Sequence, residues 1–131
     1  MTLFIDASAI VAIIAGETDA DTLAIRLSAD RKRLTSPVAR WEAVIALHRS
    51  HDYDWRHAQQ SVDDFLTLQA IEIIAIGAAE GQMALNAFGN FGKGRHRAAL
   101  NMGDCFAYAC AVLNDAALLY KGDDFAHTNL A

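Results

Sequence analysis

Short apolar runs alternate with helical segments along this chain, and that alternation restricts the fold to one class. Four runs have the length and composition of buried strands, namely residues 2–6 (TLFID), 33–36, 71–76 (IEIIAI) and 117–120 (ALLY). Strands that are separated by helices pair in parallel, because each connection must cross back over the sheet. The sequence therefore predicts an α/β fold with a short parallel sheet of about four strands wrapped by helices.

Helical patterns occupy the stretches between these runs. The predicted helices cover residues 7–15, 18–27, 37–50, 54–70, 78–88 and a last segment that begins near residue 104. Gly16 ends the first helix, Thr18 caps the second and Ser36 caps the third. In the third helix, the spacing of Val38 and Trp41 marks the face that we expect to be buried.

Length and composition indicate one globular domain over residues 1–131, with 53% hydrophobic and 21% charged residues. No apolar stretch reaches the roughly 18 residues that a membrane span needs, so we expect a cytoplasmic protein without a membrane partner. The net charge of −5 disfavours a protein that binds nucleic acid over its whole surface. Any such binding must use a local basic patch.

Carboxylates stand in apolar surroundings at several points of the sequence. Asp6 ends the first predicted strand, Glu42 lies beside the expected buried face of the third helix, and Asp104 opens the last helix. Asp123 and Asp124 follow the last strand. Because the carboxyl ends of parallel strands meet at the edge where ligands bind, acids at these positions are candidates for a common site.

Each acid also has a structural explanation. Asp6 can cap a helix, Asp104 can favour a helix dipole, Glu42 can pair with a neighbouring arginine, and GDD can form a turn. Taken together, however, several buried carboxylates would repel one another unless a cation neutralised them. Oxygen donors without zinc-like His or Cys spacing select Mg²⁺, or Mn²⁺, which can activate water for phosphodiester hydrolysis.

A basic, glycine-containing segment, KGRHR at residues 93–97, precedes the last helix. Its glycine and the preceding Gly92 would let the backbone approach a phosphate that is surrounded by cationic side chains. The alternative is a solvated loop without a ligand. We treat the segment as a candidate phosphate-binding loop.

Four motifs in a fixed order resemble a known family: FIDASAIVAIIAGE, WEAVIAL, GKGRHRAALNMGDCFAYACA and LLYKGDDF. The chain resembles, over nearly its whole length, the PIN-domain ribonucleases, and among them the VapC-type toxins of bacterial type II toxin–antitoxin pairs. The resemblance implies that Asp6 and Asp104 are the principal metal-binding acids and that Glu42 is the third acid. The fourth acid is then Asp124, with Asp123 as the alternative.

The resemblance also implies the roles of further residues and partners. Ser8 matches a polar residue that helps to orient Asp6, and Glu42 either binds a second metal ion or positions the attacking water. The side chains expected to hold the RNA backbone are Lys93, Arg95, His96 and Arg97. The implied partners are RNA, a VapB-type antitoxin and a second copy of the chain.

Three other functions are alternatives to this one. A phosphoacceptor receiver domain needs an acid pair after the first strand and an aspartate after the third, but Asp6 is single and Gly77 follows the third strand. A DxD phosphatase needs an aspartate where Ser8 stands. A PIN-like protein that binds RNA or a partner without cutting is the remaining alternative, and it would be favoured if one of the acids were missing.

Overall fold

The computed structural model describes residues 1–130 and contains one four-stranded parallel sheet. The strands are β1 (Thr2–Ile5), β2 (Lys32–Thr35), β3 (Ile71–Ile73) and β4 (Ala117–Leu119). They are arranged in the order β3-β2-β1-β4. The predicted α/β class and the parallel sheet of about four strands are confirmed.

Six helices connect and cover the strands in the described part of the chain. They are α1 (Ala7–Ala15), α2 (Ala20–Ser28), α3 (Pro37–Ser50), α4 (Trp55–Leu68), α5 (Ala78–Phe91) and α6 (Met102–Leu113). Within residues 1–130, none of them combines the length and the hydropathy that a membrane crossing requires.

Strand β1 lies inside the sheet, between β2 and β4, and it is the centre of the core. Leu3, Phe4 and Ile5 are fully buried. A strand that is covered on both faces is a continuous apolar run, which is the pattern seen in this segment. Because β1 is buried, the residue that follows it, Asp6, is held at a fixed position.

The order in which the chain adds strands to the sheet reverses between β1 and β4. The chain builds β1, β2 and β3 towards one side and then returns to place β4 on the other side of β1. The register pairs Ile5 with Leu119, and the Asp6 amide donates to the Leu119 carbonyl over 2.9 Å. In open parallel sheets, a crevice for ligands forms at the carboxyl ends of two such strands.

Two predicted helix boundaries were wrong. Helix α2 begins at Ala20 and Asp19 occupies its cap position without a capping hydrogen bond from its side chain, so Thr18 is not the cap. Helix α5 continues through Gly89 to Phe91, because a single glycine costs a helix only about 1 kcal/mol. It stops at Gly92, where a Cβ atom would collide with Phe88.

The expected buried face of α3 was also wrong. Its buried residues are Ala39, Ala43, Val44 and Leu47, whereas Trp41 is 59% exposed. Small side chains let α3 pack against α1, α4 and α6 at once, and the large ring is left outside. Glu42 nevertheless lies beside the buried face, as predicted, because it is next to Ala43.

Candidate active site

A cavity of about 410 Å³ opens at the carboxyl ends of β1 and β4. The acids Asp6, Glu42, Asp104 and Asp124 all line it, together with Ser8. They come from four separate segments of the chain: the end of β1, the middle of α3, the first turn of α6 and the loop after β4. The fold therefore gathers the four carboxylates that the sequence singled out.

Asp6 has a structural role and a place in the cavity at the same time. It is the N-cap of α1, and its Oδ2 accepts hydrogen bonds from the Ser8 amide (3.1 Å) and the Ser8 hydroxyl (2.6 Å). Burial raises the pKa of Asp6, the two bonds from Ser8 lower it, and the charge of Asp124 raises it again. The hydroxyl of Ser8 thus fixes one orientation of this carboxylate.

Asp104 lies on the first turn of α6 and is held by a reciprocal pair of hydrogen bonds with Asn101. The Asp104 amide donates to Asn101 Oδ1 (2.9 Å), and the Asn101 amide donates to Asp104 Oδ2 (3.1 Å). Burial, together with the charges of Asp124 and Asp6, raises the pKa of Asp104 to about 7, although the Asn101 bond lowers it. The carboxylate is oriented but electrostatically unfavourable.

Glu42 reaches the same cavity from α3 across the surface of Gly103. A Cβ atom at position 103 would collide with the Glu42 carboxylate, so the carboxylate can occupy this place only because residue 103 is a glycine. Burial and then the charge of Asp6 raise the pKa of Glu42 to about 7. The position of the Glu42 carboxylate thus depends on the missing methyl group at position 103.

The loop after β4 separates the two candidates for the fourth acid. It turns at Gly122, whose φ of 90° lies in the region that glycine adopts readily. Both aspartates are exposed, but Asp124 lines the cavity and its charge acts on Asp6 and Asp104, whereas Asp123 is not part of the lining. This placement supports Asp124 as the fourth acid.

Among the lining residues that the sequence did not indicate, three have ionisable side chains: Glu17, His51 and Lys121. His51 is half-buried, and its Nε2 lies 3.1 Å from Glu17 Oε2. The Lys121 ammonium contacts the same carboxylate. Because these residues are far apart in the sequence, no spacing pattern could have joined them.

The basic loop adjoins the cavity but does not line it. A parallel bridge between Gly92 and Leu100 closes the loop at its base, directly before Asn101 of the cavity wall. Lys93, Arg95 and Arg97 are exposed, and His96 packs edge-on against Phe91 with a centroid distance of 5.2 Å. The loop thus leaves three cations exposed to solvent, and its base adjoins the cavity wall.

The donor chemistry of the cavity suits a divalent cation. Its four acids offer oxygen ligands, and two of them have a pKa near 7 because they lie buried among other negative charges. Across residues 1–130, no three acidic, histidine or cysteine side chains converge closely enough to form a complete ligand set. Carboxylates that surround a cavity in this way fit a hard ion that keeps several of its waters.

Comparison with known proteins agrees with this geometry. Residues 3–130 match the PIN domain family. The VapC ribonuclease R02377 of Rhizobium meliloti is 40% identical over an alignment 139 residues long, which covers 97% of this chain and 98% of that protein. The VapC ribonuclease Mb0640 of Mycobacterium bovis is 36% identical over 129 residues, which cover 98% and 96% of the two chains.

Solved structures share the fold. VapC20 of Mycobacterium tuberculosis, described as a sarcin-ricin loop cleaving toxin, superposes with a TM-score of 0.74 at 16% identity over 98% of this chain and 96% of its own. A chain of a toxin-antitoxin complex from Klebsiella pneumoniae gives a TM-score of 0.69 at 18% identity over 98% and 93%. With its family match, its relatives and its gathered carboxylates, this chain belongs to the PIN-domain family, in the VapC branch.

Proposed function

We propose that this protein is a divalent-metal-dependent endoribonuclease and the toxin of a type II toxin–antitoxin pair. The observation that carries the proposal is the meeting of four carboxylates in one cavity, two of them with a pKa near 7. A bound cation would neutralise the repulsion between these carboxylates and so stabilise their ionised forms. The VapC ribonucleases similar to this chain support RNA as the substrate.

Asp6, Asp104 and Asp124 would hold the ion, and Glu42 would either bind a second ion or position the attacking water. When bound, Mg²⁺ or Mn²⁺ would lower the pKa of a coordinated water and stabilise negative charge on a phosphodiester. The chain's own part is orientation. Ser8 holds Asp6, Asn101 holds Asp104, and Gly103 gives Glu42 its place.

The basic loop is the proposed RNA-backbone contact. Lys93, Arg95, His96 and Arg97 carry positive or protonatable groups beside a cavity whose own lining is acidic. Phosphate contacts from Lys and Arg provide sequence-independent affinity, which reconciles the net charge of −5 with a polyanionic substrate. We propose a cytoplasmic location, because the proposed substrate is cellular RNA.

Two protein partners belong to the proposal: a VapB-type antitoxin and a second copy of this chain. An exposed apolar strip runs over the neighbouring surfaces of three helices and is formed by Pro37, Val38, Trp41, Leu85, Phe88, Met102 and Phe106. Leu85 is 69% and Met102 is 63% exposed. Continuous apolar surface of this kind marks protein interfaces, and a two-fold dimer is the commonest arrangement for copies of one chain.

Cleavage of total cellular RNA by the purified, antitoxin-free protein tests the enzymatic proposal. We expect cleavage with Mg²⁺ or Mn²⁺, none with EDTA, and a loss of at least about 100-fold in Asp104→Asn. Asp123→Asn is the matched control, since it neutralises an acid of the loop after β4 that does not line the cavity. A folded, metal-bound wild type that leaves RNA intact would transfer the proposal to the non-cutting PIN-like alternative.

The oligomeric state is tested separately by light scattering on Leu85→Lys and Met102→Lys. Both variants should shift a dimer to monomer, while Ile25→Lys, at a position that is 72% exposed on α2 outside the strip, should not. A wild-type protein that is monomeric at all concentrations would refute the dimer.

A further inference from the structure

Lys121 connects the loop after β4 to two other parts of the molecule. Its amide donates to the Ser8 hydroxyl oxygen over 2.9 Å. Its ammonium contacts the Glu17 carboxylate and lies 3.4 Å from Asp19 Oδ1. One residue of the loop is thus held by its backbone at the catalytic acids and by its side chain at the α1–α2 turn.

Glu17 joins three walls of the cavity. It lies in the α1–α2 turn, where its amide donates to the Ala12 carbonyl (3.0 Å). One carboxylate oxygen contacts Lys121, and the other lies 3.1 Å from Nε2 of His51, the residue that ends the helix carrying Glu42. The α1–α2 turn, the end of α3 and the loop after β4 therefore share one carboxylate.

Asp19 adds to the demand for a cation at this place. Its Oδ1 is buried and, among residues 1–130, has no hydrogen-bond partner. The Lys121 ammonium, 3.4 Å away, is the positive charge that faces it. Because a buried carboxylate oxygen without a hydrogen bond is unfavourable, Asp19 favours the position of the Lys121 ammonium beside it.

The position of Lys121 affects two catalytic acids. Because the Ser8 oxygen accepts from the Lys121 amide, its own hydrogen is directed to Asp6 Oδ2, at 2.6 Å. Three residues beyond Lys121, the chain has turned at Gly122 and Asp124 lines the cavity. A shift of the loop would alter the orientation of Asp6 and the reach of Asp124 together.

We infer that Lys121 is a positioning residue: its ion pair with Glu17 holds the loop after β4 so that Asp6 and Asp124 face a common cation. The inference rests on the proposed metal-dependent function. Lys121 itself needs no contact with the metal or the RNA in this role. Outer partners of metal ligands commonly contribute about 10–100-fold to metal affinity, and that is the range expected here.

Positioning and simple electrostatics give opposite signs for one substitution. Lys121→Met removes a cation from the cavity wall, and if charge alone mattered, a divalent ion would bind more tightly. If Lys121 acts by positioning, the freed loop binds the ion more weakly. The double variant Glu17→Gln with Lys121→Met removes one charge of each sign. If charge alone matters, its affinity for the divalent ion is unchanged. If Lys121 acts by positioning, the double variant still binds the ion more weakly.

Mn²⁺ affinity, measured by electron paramagnetic resonance without RNA, is the readout. We expect Lys121→Met and the double variant to bind about 10–100-fold more weakly than wild type and Lys121→Arg to remain within about threefold of it. Arg40→Met is the matched control, since it breaks an ion pair with Asp63 that is similarly exposed and lies between α3 and α4. It should leave Mn²⁺ affinity unchanged.

Each result has a separate meaning. Wild-type or tighter binding by Lys121→Met would overturn the inference while leaving the metal site in place. Failure of the wild type to bind Mn²⁺, with Asp104→Asn as the blank, would instead overturn the proposed function. If Lys121→Met does not fold, the double variant, which leaves no unpaired glutamate, decides the question by the same comparison.

Discussion

Gly103→Ala adds one methyl group to α6 at the point where Glu42 crosses it. The added Cβ would overlap the Glu42 carboxylate, to which the three nearest atoms around position 103 belong. A carboxylate at the end of a flexible side chain can move, whereas the helix backbone cannot. We therefore expect Glu42 to be displaced and the fold to be kept.

The expected magnitudes differ for stability and for activity. Alanine is favoured over glycine inside a helix by about 1 kcal/mol, and a strained Glu42 rotamer costs about 0.5–1.5 kcal/mol. These nearly cancel, so the free energy of unfolding should change by less than about 1 kcal/mol and Tm by less than about 5 °C. A carboxylate that moves by about 1 Å can reduce the cleavage rate by about 100-fold.

RNA cleavage rates and thermal unfolding, measured on the same preparations, separate the two effects. Gly89→Ala is the control, because that glycine is exposed in α5 with open space around it, and it should retain full activity. In a Glu42→Ala background, Gly103→Ala should cause no further loss of rate. A fully active Gly103→Ala, or an equal loss without Glu42, would refute the reasoning.

Other substitutions and conditions test neighbouring parts of the site. Ser8→Ala removes the hydroxyl that donates to Asp6 and should weaken Mn²⁺ binding by about 10-fold in a titration; unchanged affinity would contradict that role. Arg95→Ala combined with Arg97→Ala should raise KM with little change in kcat and reduce the salt dependence of RNA binding by about 0.7 per lost contact. A fall in kcat alone would argue against backbone binding. Metal-free protein should lose stability as pH rises from 5 to 8, because Glu42 and Asp104, with a pKa of about 7 when folded, hold more protons in the folded state than in the unfolded one. Denaturation midpoints across this range check the sign, and Mg²⁺ should remove the loss at pH 8.

The sequence predicted those parts of the fold that depend on local pattern. The four strands follow from short apolar runs between helical segments, and the common location of the acids that follow β1 and β4 follows from the parallel direction of the strands. Asp6 and Asp124 could be placed at one edge for that reason. The structure adds that Asp6 is both a helix cap and a cavity residue, two roles that the sequence offered as alternatives.

The parts that could not be predicted depend on packing between distant segments. Trp41 has the size and spacing of a core residue, but the alanines of α3 pack more closely and exclude it. His51 has no metal-ligand partner at a regular spacing, and its contact with Glu17 spans 34 positions. The need for glycine at position 103 likewise exists only once α3 and α6 are side by side.

The placement of β4 next to β1 has a consequence for synthesis. The Ser8 and Lys121 contact joins residues 113 positions apart, and the cavity has no complete set of acids until the chain has passed Asp124. Translation runs at about 5–20 residues per second, so the nascent chain spends several seconds with Asp6 and Glu42 made and the remaining acids absent. A nascent copy therefore lacks the complete set of acids while the ribosome is still reading its message, and only a finished chain can carry the site.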